Sequence, residues 1–423
     1  MKKIDLEEEI EKNEINRKKI VPIMYSYKER RDDILSKKSE NFKEEIRKIK
    51  EYSIDNLNRL KDKAILNLSK NGIRVIEAKD SSQAIKEVLK IIGEERIVVK
   101  SKSNTINEIN LKEALKDKEL VETDIGDFVT SLFEDGEIHP VLPAVNLSPE
   151  EISKKIKEKF NVKLSNNPEE IIQFIKNYLR GKILEAKIGI TGANAISSDG
   201  SIFILENEGN ISLISRIPDK HIIIAGIDKI VEKREEALKV IEASGIFGTG
   251  QEYPVYTNII SGPSKTADIQ NKLVTGAQGA KEVYIILLDN NRSNFINTKF
   301  KEILYCINCG SCLNFCPVYH QIFTRYGSKY FPGAKGVILS YYKENPDNAY
   351  YNGAFFCTTC HQCFENCPVK INLSNLVKEL RKDLVKNKIE PPSAKEMIEN
   401  IEKYGNPFGK VEAGKKIDKL YCC

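Results

Sequence analysis

The sequence lacks any segment that would place it in or across a membrane. Its longest apolar runs, such as IIIAGI and YIILL, are far shorter than the roughly 20 residues that a membrane-spanning helix needs. The N-terminal residues have no apolar export signal, and the first 305 residues contain no cysteine. We therefore expect a protein without a transmembrane segment that works in a reducing cytoplasm.

The sequence also has little net charge and few of the motifs that bind nucleotides. Lysine and arginine number 66 against 61 acidic residues, so the formal charge of +5 is too small to indicate nucleic acid binding. There is no G-x-G-x-x-G after the first predicted strand and no Walker loop, so neither nucleotide site is supported. Hydrophobic residues make up 41% of the chain, which is typical of a globular protein. The length of 423 residues predicts two or three domains.

The cysteines are concentrated in two runs of identical spacing. CINCGSCLNFCP and CTTCHQCFENCP both read Cys-x2-Cys-x2-Cys-x3-Cys-Pro, the spacing that holds two [4Fe–4S] clusters in bacterial ferredoxins. Three thiolates at short spacing wrap one cluster, and the fourth, carried away before a proline, reaches the other. The predicted ligands are Cys306, Cys309, Cys312 and Cys367 for the first cluster, and Cys357, Cys360, Cys363 and Cys316 for the second.

Other interpretations of the cysteines are weaker. Zinc sites take four ligands in pairs, and a quartet that ends in Cys-Pro is not a zinc spacing. Disulfide frameworks suit small secreted chains. Cys422 and Cys423 form a vicinal pair at the end of the chain, where an extra ligand, a redox pair and a frayed terminus without a role all remain open. His361, inside the second run, reads as a loop residue near solvent.

The order of apolar patterns predicts four segments. Residues 1–70 read as helical, with one apolar face running from Ile46 to Leu68. Residues 71–292 alternate strands and helices, such as NGIRVIEA, a serine-capped SSQAIKEVLKIIG and RIVVK, and this indicates an α/β domain with a parallel sheet. NRSNFINTKF reads as a polar linker into a small helical domain with two clusters, over residues 293–380. A helical tail follows over residues 381–423.

Polar loops after several strands predict a ligand crevice at the sheet. The turn GPSKT resembles an anion-binding turn, in which Thr266 caps a helix whose N-terminus favours phosphate or carboxylate. Turns and caps without a ligand are the simpler explanation for about half of these loops. The candidate ligand-binding residues are Lys100, Ser103, Asn194, Asn207, Glu208, Gly262, Lys265, Thr266 and Asp268.

Six ordered motifs carry a resemblance to a known family. VVKSKSNTINEINL, VETDIGDFV, LPAVNLSPEEI, GITGANAISSDGSIFILENEGN, GPSKTADI and LLDNNR together resemble the LUD domain of lactate-utilisation proteins. The cluster segment in the same chain makes it similar to the iron–sulfur member of that group, over roughly residues 40–410. The resemblance implies a NagB/RpiA/CoA-transferase-like fold, preceded by helices and followed by a small α-helical ferredoxin-like domain.

The resemblance also implies partners and an activity. It implies a cytoplasmic complex that oxidises L-lactate to pyruvate, with an iron–sulfur subunit carrying CCG motifs and a further LUD protein. GNPFG resembles the tail of subunits that dock such partners in heterodisulfide-reductase-like systems. The chain departs from the family at Gln278, Ala280 and Ala334, where the family has a histidine and two prolines in glycine-containing turns. These departures leave the substrate open.

Three functions are consistent with these observations. The first is an electron-transfer subunit that relays single electrons through two [4Fe–4S] clusters while a partner oxidises a 2-hydroxy acid. The second is an isomerase-like or CoA-transferase-like enzyme, with Glu206 or Glu208 as base or nucleophile. The third is a scaffold whose LUD domain binds an effector. The shortage of histidine and the absence of a flavin or nicotinamide motif favour the relay.

Overall fold

The computed structural model describes residues 5–133, 139–140, 143–328 and 331–411. Cys422 and Cys423 lie outside the described residues. Within the described ranges, no helix is both long enough and apolar enough to cross a bilayer. The predicted mixed α/β architecture with a parallel sheet, followed by a small helical region that holds the cysteines, is confirmed.

The N-terminal segment is helical, as predicted. Its helices are α1 Leu6–Lys12, α2 Glu14–Ser36, α3 Phe42–Asp55 and α4 Leu57–Lys70. The expectation of one continuous apolar face from Ile46 to Leu68 is wrong in one respect, because Asn56 interrupts the helix with φ −108° and ψ 20°. The break lets α3 pack with the cysteine-rich region while α4 packs on the sheets.

Two main sheets and a small ribbon make up the α/β region. The strands are β1 Arg74–Ala78, β2 Ile97–Lys100, β3 Glu119–Glu122, β4 Ile188–Thr191, β5 Ala195–Ser197, β6 Ser201–Glu206, β7 Lys220–Gly226, β8 Ile230–Val231, β9 Tyr256–Ile260, β10 Lys265–Thr266, β11 Val274–Thr275 and β12 Glu282–Leu288. The six-stranded sheet is parallel throughout, in the order β1-β12-β7-β4-β2-β3. A mixed four-stranded sheet has the order β8-β5-β6-β9, and β10 pairs with β11.

Side chains along the central strands point alternately to the two faces of the sheet, so the apolar core lies in two layers. In β7, Ile223 and Ala225 face the layer with α4 and the four-stranded sheet, whereas Ile222 and Ile224 face the other layer. Because successive strand residues point to opposite faces, an unbroken apolar run indicates a strand covered on both sides. The helices of this region are α5 Ser81–Ile92, α6 Asn104–Glu108, α7 Leu111–Ala114, α8 Ile125–Thr130, α9 Pro149–Phe160, α10 Pro168–Glu185, α11 Asn210–Ile214 and α12 Arg234–Thr249.

The N-cap of α5 differs from the predicted serine. The side chain of Asp80, one residue before Ser81, accepts the hydrogen bond from the backbone N–H of Gln83. Asp80 has the extended backbone of an N-cap, and aspartate is as effective a cap as serine. The helix itself is as predicted.

The C-terminal region consists of short helices around the two cysteine runs. They are α13 Arg292–Phe295, α14 Ser311–Asn314, α15 Pro317–Ile322, α16 Gly333–Lys343, α17 Pro346–Tyr351, α18 Gln362–Glu365, α19 Leu373–Lys386 and α20 Pro392–Tyr404. Short 3-10 turns lie at Ile227–Lys229, Lys301–Tyr305 and Phe323–Arg325. The cysteine-rich region shares one apolar core with α2, α3 and α12, so it packs directly on the rest of the chain.

The prediction that residues 292–300 form a polar linker is wrong. Arg292, Phe295 and Phe300 are buried. The Arg292 guanidinium donates to Asp228 Oδ1 at 2.5 Å and to Glu108 Oε2 at 2.7 Å, and Lys343 of α16 also pairs with Glu108. This four-charge network joins the α/β region to the cysteine-rich region.

Candidate metal centres and the adjoining cavity

The two cysteine runs have the same backbone as well as the same spacing. Asn308 and Gly310 in the first run have φ values of 62° and 82°, and their counterparts Thr359 and His361 have φ values of 56° and 62°. These left-handed residues turn the chain between successive cysteines, and each run then enters a one-turn helix, α14 or α18. Asparagine and glycine tolerate this backbone, whereas threonine rarely adopts it.

Each run contributes to two cysteine-lined cavities. The first cysteine cavity is lined by Cys306, Cys309, Cys312 and Cys367. The second cysteine cavity is lined by Cys316, Cys357, Cys360 and Cys363, and Cys312 also lies on its wall. Each cavity therefore meets three cysteines of one run and the last cysteine of the other. All eight are free thiols.

The surroundings of these thiols fit iron–sulfur ligation. Backbone N–H groups of Asn308, Tyr319 and Ile371 point at the sulfurs of Cys306, Cys316 and Cys367, at 3.4, 3.5 and 3.4 Å. Such N–H···S contacts help to set the potential of a cluster. Burial raises the pKa of Cys316 and of Cys367 to about 12, so an ionised thiolate at either position needs a compensating positive charge such as a metal.

Three lysines lie near Cys306, and the sequence analysis did not identify them. Lys229 Nζ donates to the carbonyl oxygen of Cys306 at 3.2 Å, and Lys335 Nζ donates to Asn308 Oδ1 at 2.5 Å. Lys50 is 2% exposed, and its Nζ donates to the carbonyl oxygen of Asp228. Burial by itself would raise the pKa of Cys306, but Lys335 and Lys229 bring it below its ordinary value.

One sequence signal could have found Lys50. It lies four residues after Ile46 on the apolar face of α3, where a charged side chain is rarely buried unless it has a partner. Burial lowers the pKa of Lys50 to about 8. Lys229 and Lys335 have no such signal: Lys229 ends a short 3-10 turn, and Lys335 lies in the first turn of α16.

A larger cavity of about 570 Å³ lies between the α/β region and the first cysteine run. Its wall includes Cys306, Cys309 and Cys312 on one side and the loops after several strands on the other. A cavity of this volume is in the range that holds small organic ligands. We call it the interdomain cavity.

The structure brings four of the predicted crevice residues together on this wall. They are Ser103, Asn194, Asn207 and Glu208. Asn194 Oδ1 accepts from the backbone N–H of Leu205, and Asn207 Oδ1 accepts from that of Val255, so both also hold local turns. Lys100 lies apart from the wall, since its buried ammonium group pairs with the Glu122 carboxylate at 2.5 Å.

The remaining four predicted crevice residues lie elsewhere. Lys265 and Thr266 form strand β10, and Thr266 Oγ1 donates to Asp268 Oδ2 at 2.7 Å, so the predicted helix cap at Thr266 is wrong. Gly262 packs against the end of α4 with φ 139°, and a Cβ there would lie 2.4 Å from the carbonyl oxygen of Asn71. Its glycine is explained by this close approach of two backbones, without any ligand.

The acidic residues of the interdomain cavity have different environments. Glu206 accepts hydrogen bonds from the backbone N–H groups of Ile211 and Ser212, at 2.6 and 2.9 Å, and holds the start of α11. Glu208 faces the open cavity and accepts one backbone hydrogen bond, from Ile125 at 3.0 Å. Desolvation by the surrounding protein and the nearby Asp124 carboxylate raise the pKa of Glu208 to about 7. Of the two carboxylates, Glu208 is the one suited to proton exchange.

Two families match the chain, one on each side of the interdomain cavity. The LUD domain family matches residues 61–288, and the 4Fe-4S dicluster domain family matches residues 302–371. Several curated relatives are named Lactate utilization protein B. The protein of Macrococcus caseolyticus is 32% identical over 85% of this chain and 75% of its own length, and that of Bacillus subtilis is 33% identical over 82% and 72%.

Two further comparisons concern another curated relative and a solved structure. The Lactate utilization protein B of Bacillus velezensis is 31% identical over 85% of this chain and 75% of its own length. A crystal structure of a DUF162 family protein from Deinococcus radiodurans is 14% identical, covers 56% of this chain and 98% of its own, and has a TM-score of 0.29. The dicluster match supports iron–sulfur clusters as cofactors, and two clusters are consistent with it.

Proposed function

Since the chain belongs to the lactate utilization protein B family, with a LUD domain followed by a 4Fe-4S dicluster domain, we propose that it is the electron-transfer subunit of a cytoplasmic complex that oxidises L-lactate to pyruvate. One observation carries the proposal. The two cysteine cavities share Cys312 and Leu373 on their walls, one of them adjoins the interdomain cavity, and the other includes the exposed Cys360. This arrangement offers a continuous route from the interdomain cavity to the protein surface.

We propose crossed ligation of two [4Fe–4S] clusters. The first would be held by Cys306, Cys309, Cys312 and Cys367, and the second by Cys357, Cys360, Cys363 and Cys316. The walls of the two cysteine cavities support this assignment. When bound, the clusters supply one-electron transfer, which side chains of this chain do not provide.

The remaining residues of the region hold the thiols in place and exclude water. Tyr326 is fully buried on the wall of the second cysteine cavity, and the buried Leu313 and Leu373 lie on the same wall. Arg381 donates to the carbonyl oxygens of Ala354 and Cys357, at 2.7 and 2.6 Å, and so fixes the start of the second run. Removing water in this way strengthens electrostatic effects on a bound cluster.

The proposed partners are those of the family resemblance: a CCG-motif iron–sulfur subunit and a further LUD protein. Affinity purification of the chain from its native host, under anaerobic conditions, should recover both. The isolated chain should not reduce an artificial dye with L-lactate, because the two-electron acceptor that dehydrogenation needs is assigned to a partner. Turnover by the isolated chain near the rate of the complex would overturn the subunit assignment and favour an enzyme in the LUD domain.

Crossed ligation has its own test. Cys316→Ala should convert the cluster built on Cys357, Cys360 and Cys363 into a three-iron species with a distinct paramagnetic signal, and Cys367→Ala should do the same to the first cluster. The control combines Cys316→Ala with loss of Cys357, Cys360 and Cys363. If the three-iron signal persists in that combination, the damaged cluster lies on its own run and ligation is local.

A second candidate function, proton transfer by Glu208 within the LUD domain, rests on the pKa of that carboxyl near 7 and its place on the cavity wall. It predicts that Glu208→Gln in the assembled complex lowers kcat more than it raises KM for lactate. Unchanged kcat would remove this candidate and leave the relay in place.

A further inference from the structure

The interdomain cavity contains a polar group that the protein does not satisfy. Ser101 is 1% exposed and lines the cavity, and its Oγ has no hydrogen-bond partner within the described residues. A buried hydroxyl without a partner is destabilising, so native proteins rarely keep one except where a ligand or water pairs with it. Ser101 therefore indicates that something polar occupies this cavity.

The charges on the wall indicate which polar group this is. Lys229 and Lys335 line the cavity on the side of the first cysteine run, whereas Asp124, Glu206, Glu208 and Lys102 line it on the side of the α/β loops. The α/β side therefore carries a net negative charge, and a small anion is favoured beside the two ammonium groups of the cysteine side. The ammonium groups of Lys229 and Lys335 both lie beside the Cys306–Asn308 segment, where they contact Cys306 O and Asn308 Oδ1.

We propose that the interdomain cavity binds a small organic carboxylate, with its carboxylate towards Lys229 and Lys335, and that this binding is thermodynamically coupled to the oxidation state of the first cluster. The inference rests on the proposed function, because it requires a cluster on Cys306, Cys309, Cys312 and Cys367. It goes beyond electron relay, since it gives the LUD domain a ligand and makes that ligand a regulator of the relay.

The physical basis of the coupling is charge. Reduction adds one electron to the first cluster, on the wall of the cavity that holds the anion. The added negative charge repels the bound carboxylate, so the oxidised protein binds it more tightly than the reduced protein. Linkage makes the effect reciprocal: the ligand lowers the reduction potential of the first cluster by an amount set by the ratio of the two affinities.

The experiment measures binding and potential on the full chain with both clusters assembled. Pyruvate is the probe, a longer 2-oxo acid (2-oxoisocaproate) tests the size of the cavity, and pyruvamide is the uncharged control. We expect calorimetry to detect a carboxylate but not pyruvamide, with about tenfold weaker binding after reduction. An affinity ratio of tenfold corresponds to a decrease of about 59 mV in the midpoint potential, followed by paramagnetic resonance.

Variants separate the ligand site from a structural role. Ser101→Ala breaks no hydrogen bond within the described residues, so it should keep the clusters and the ligand-free potential, yet weaken binding about tenfold. Ser53→Ala is the matched control, because Ser53 is equally buried but donates to the Ile49 carbonyl oxygen in α3, away from the cavity. Lys335→Met should abolish both the binding and the ligand-dependent shift in potential.

The outcomes distinguish the inference from the function on which it rests. Iron content and the paramagnetic signals of both clusters test the function, whatever the ligand does. If both clusters assemble but neither acid binds, or Ser101→Ala binds as well as the unmodified protein, the inference is wrong. Binding without any change of potential would overturn the coupling. If Lys335→Met fails to assemble clusters, Ser101→Ala decides the result.

Discussion

Replacing Arg292 by methionine should destabilise the protein strongly, because this residue stands between two buried carboxylates. Its guanidinium contacts Asp228 at 2.5 Å and Glu108 at 2.7 Å, and the side chains of all three residues are less than 10% exposed. Methionine keeps most of the length and apolar contact of the arginine but removes its charge. Within the described residues, Asp228 and Glu108 would then keep Lys229 and Lys343 as their ion-pair partners.

The magnitude follows from the pKa of Glu108. Burial by itself would raise this pKa, but Arg292 and Lys343 bring it from an ordinary value of 4.5 to about 2. A decrease of that size corresponds to about 3 kcal/mol of folding free energy, and breaking a buried ion pair typically costs about 3–5 kcal/mol. Because Lys343 and Lys229 remain, we expect a loss of about 3 kcal/mol.

The sign of the pH dependence is also determined. The folded-state pKa of Glu108 is depressed, so its contribution is complete above pH 4.5 and is lost as the pH falls towards 2. The difference in stability between the wild type and Arg292→Met should therefore shrink as the pH falls towards 2, because Glu108 becomes protonated first in the variant and finally in both folded proteins.

The assay is anaerobic urea unfolding followed by far-ultraviolet circular dichroism, since the chain has no tryptophan for fluorescence. Arg59→Met is the matched control. Arg59 pairs with Glu232 at 3.4 Å and its side chain is 53% exposed, so its loss should cost less than about 1 kcal/mol. The double variant Arg292→Met with Glu108→Gln removes one of the two carboxylates that have lost Arg292 and should recover part of the loss. If Arg292→Met costs no more than Arg59→Met, or the double variant recovers nothing, the electrostatic explanation is refuted.

Two further predictions concern the metal content and the cavity. The anaerobically purified chain should hold about eight irons, measured against protein concentration; four irons would count against the second cluster, and zinc without iron would remove the relay. Pyruvate binding should tighten as the pH falls through about 7, because protonation of Glu208 removes a negative charge from the cavity wall. Glu208→Gln should bind pyruvate equally well on both sides of pH 7, and a persistent pH dependence in that variant would assign the effect to another group.

Several elements were predictable because their causes are local. The apolar runs that became β7 and β12 are long enough and rich enough in branched residues to indicate buried strands, and both lie inside the parallel sheet rather than at its edges. The cap of α5 was misassigned by one residue, from serine to Asp80, because both residue types satisfy the same backbone N–H group. The four predicted domain limits stay a prediction.

Errors arose where the sequence shows composition but not burial. Residues 292–300 look like a polar linker because they contain asparagine, serine and threonine, yet Arg292, Phe295 and Phe300 are buried. At the Gly262 turn the anion site stays a prediction, and the structure adds a second reason for the glycine, its close approach to the end of α4. In both places the residue types fit two explanations, and only the packing partner distinguishes them.

The iron–sulfur character of the cysteine runs is readable from their spacing alone, whereas the residues beside them are brought there by the fold. Cys-x2-Cys-x2-Cys is a local signal, since a few backbone dihedrals place three sulfurs around one centre, and its repetition implies a second. The interdomain cavity has no such signal. Its wall combines Ser101, Asn194, Glu208, Lys229 and Lys335, which are separated by up to 234 positions in the chain. Their proximity depends on the packing of both sheets and the cysteine-rich region, which no spacing in the sequence encodes.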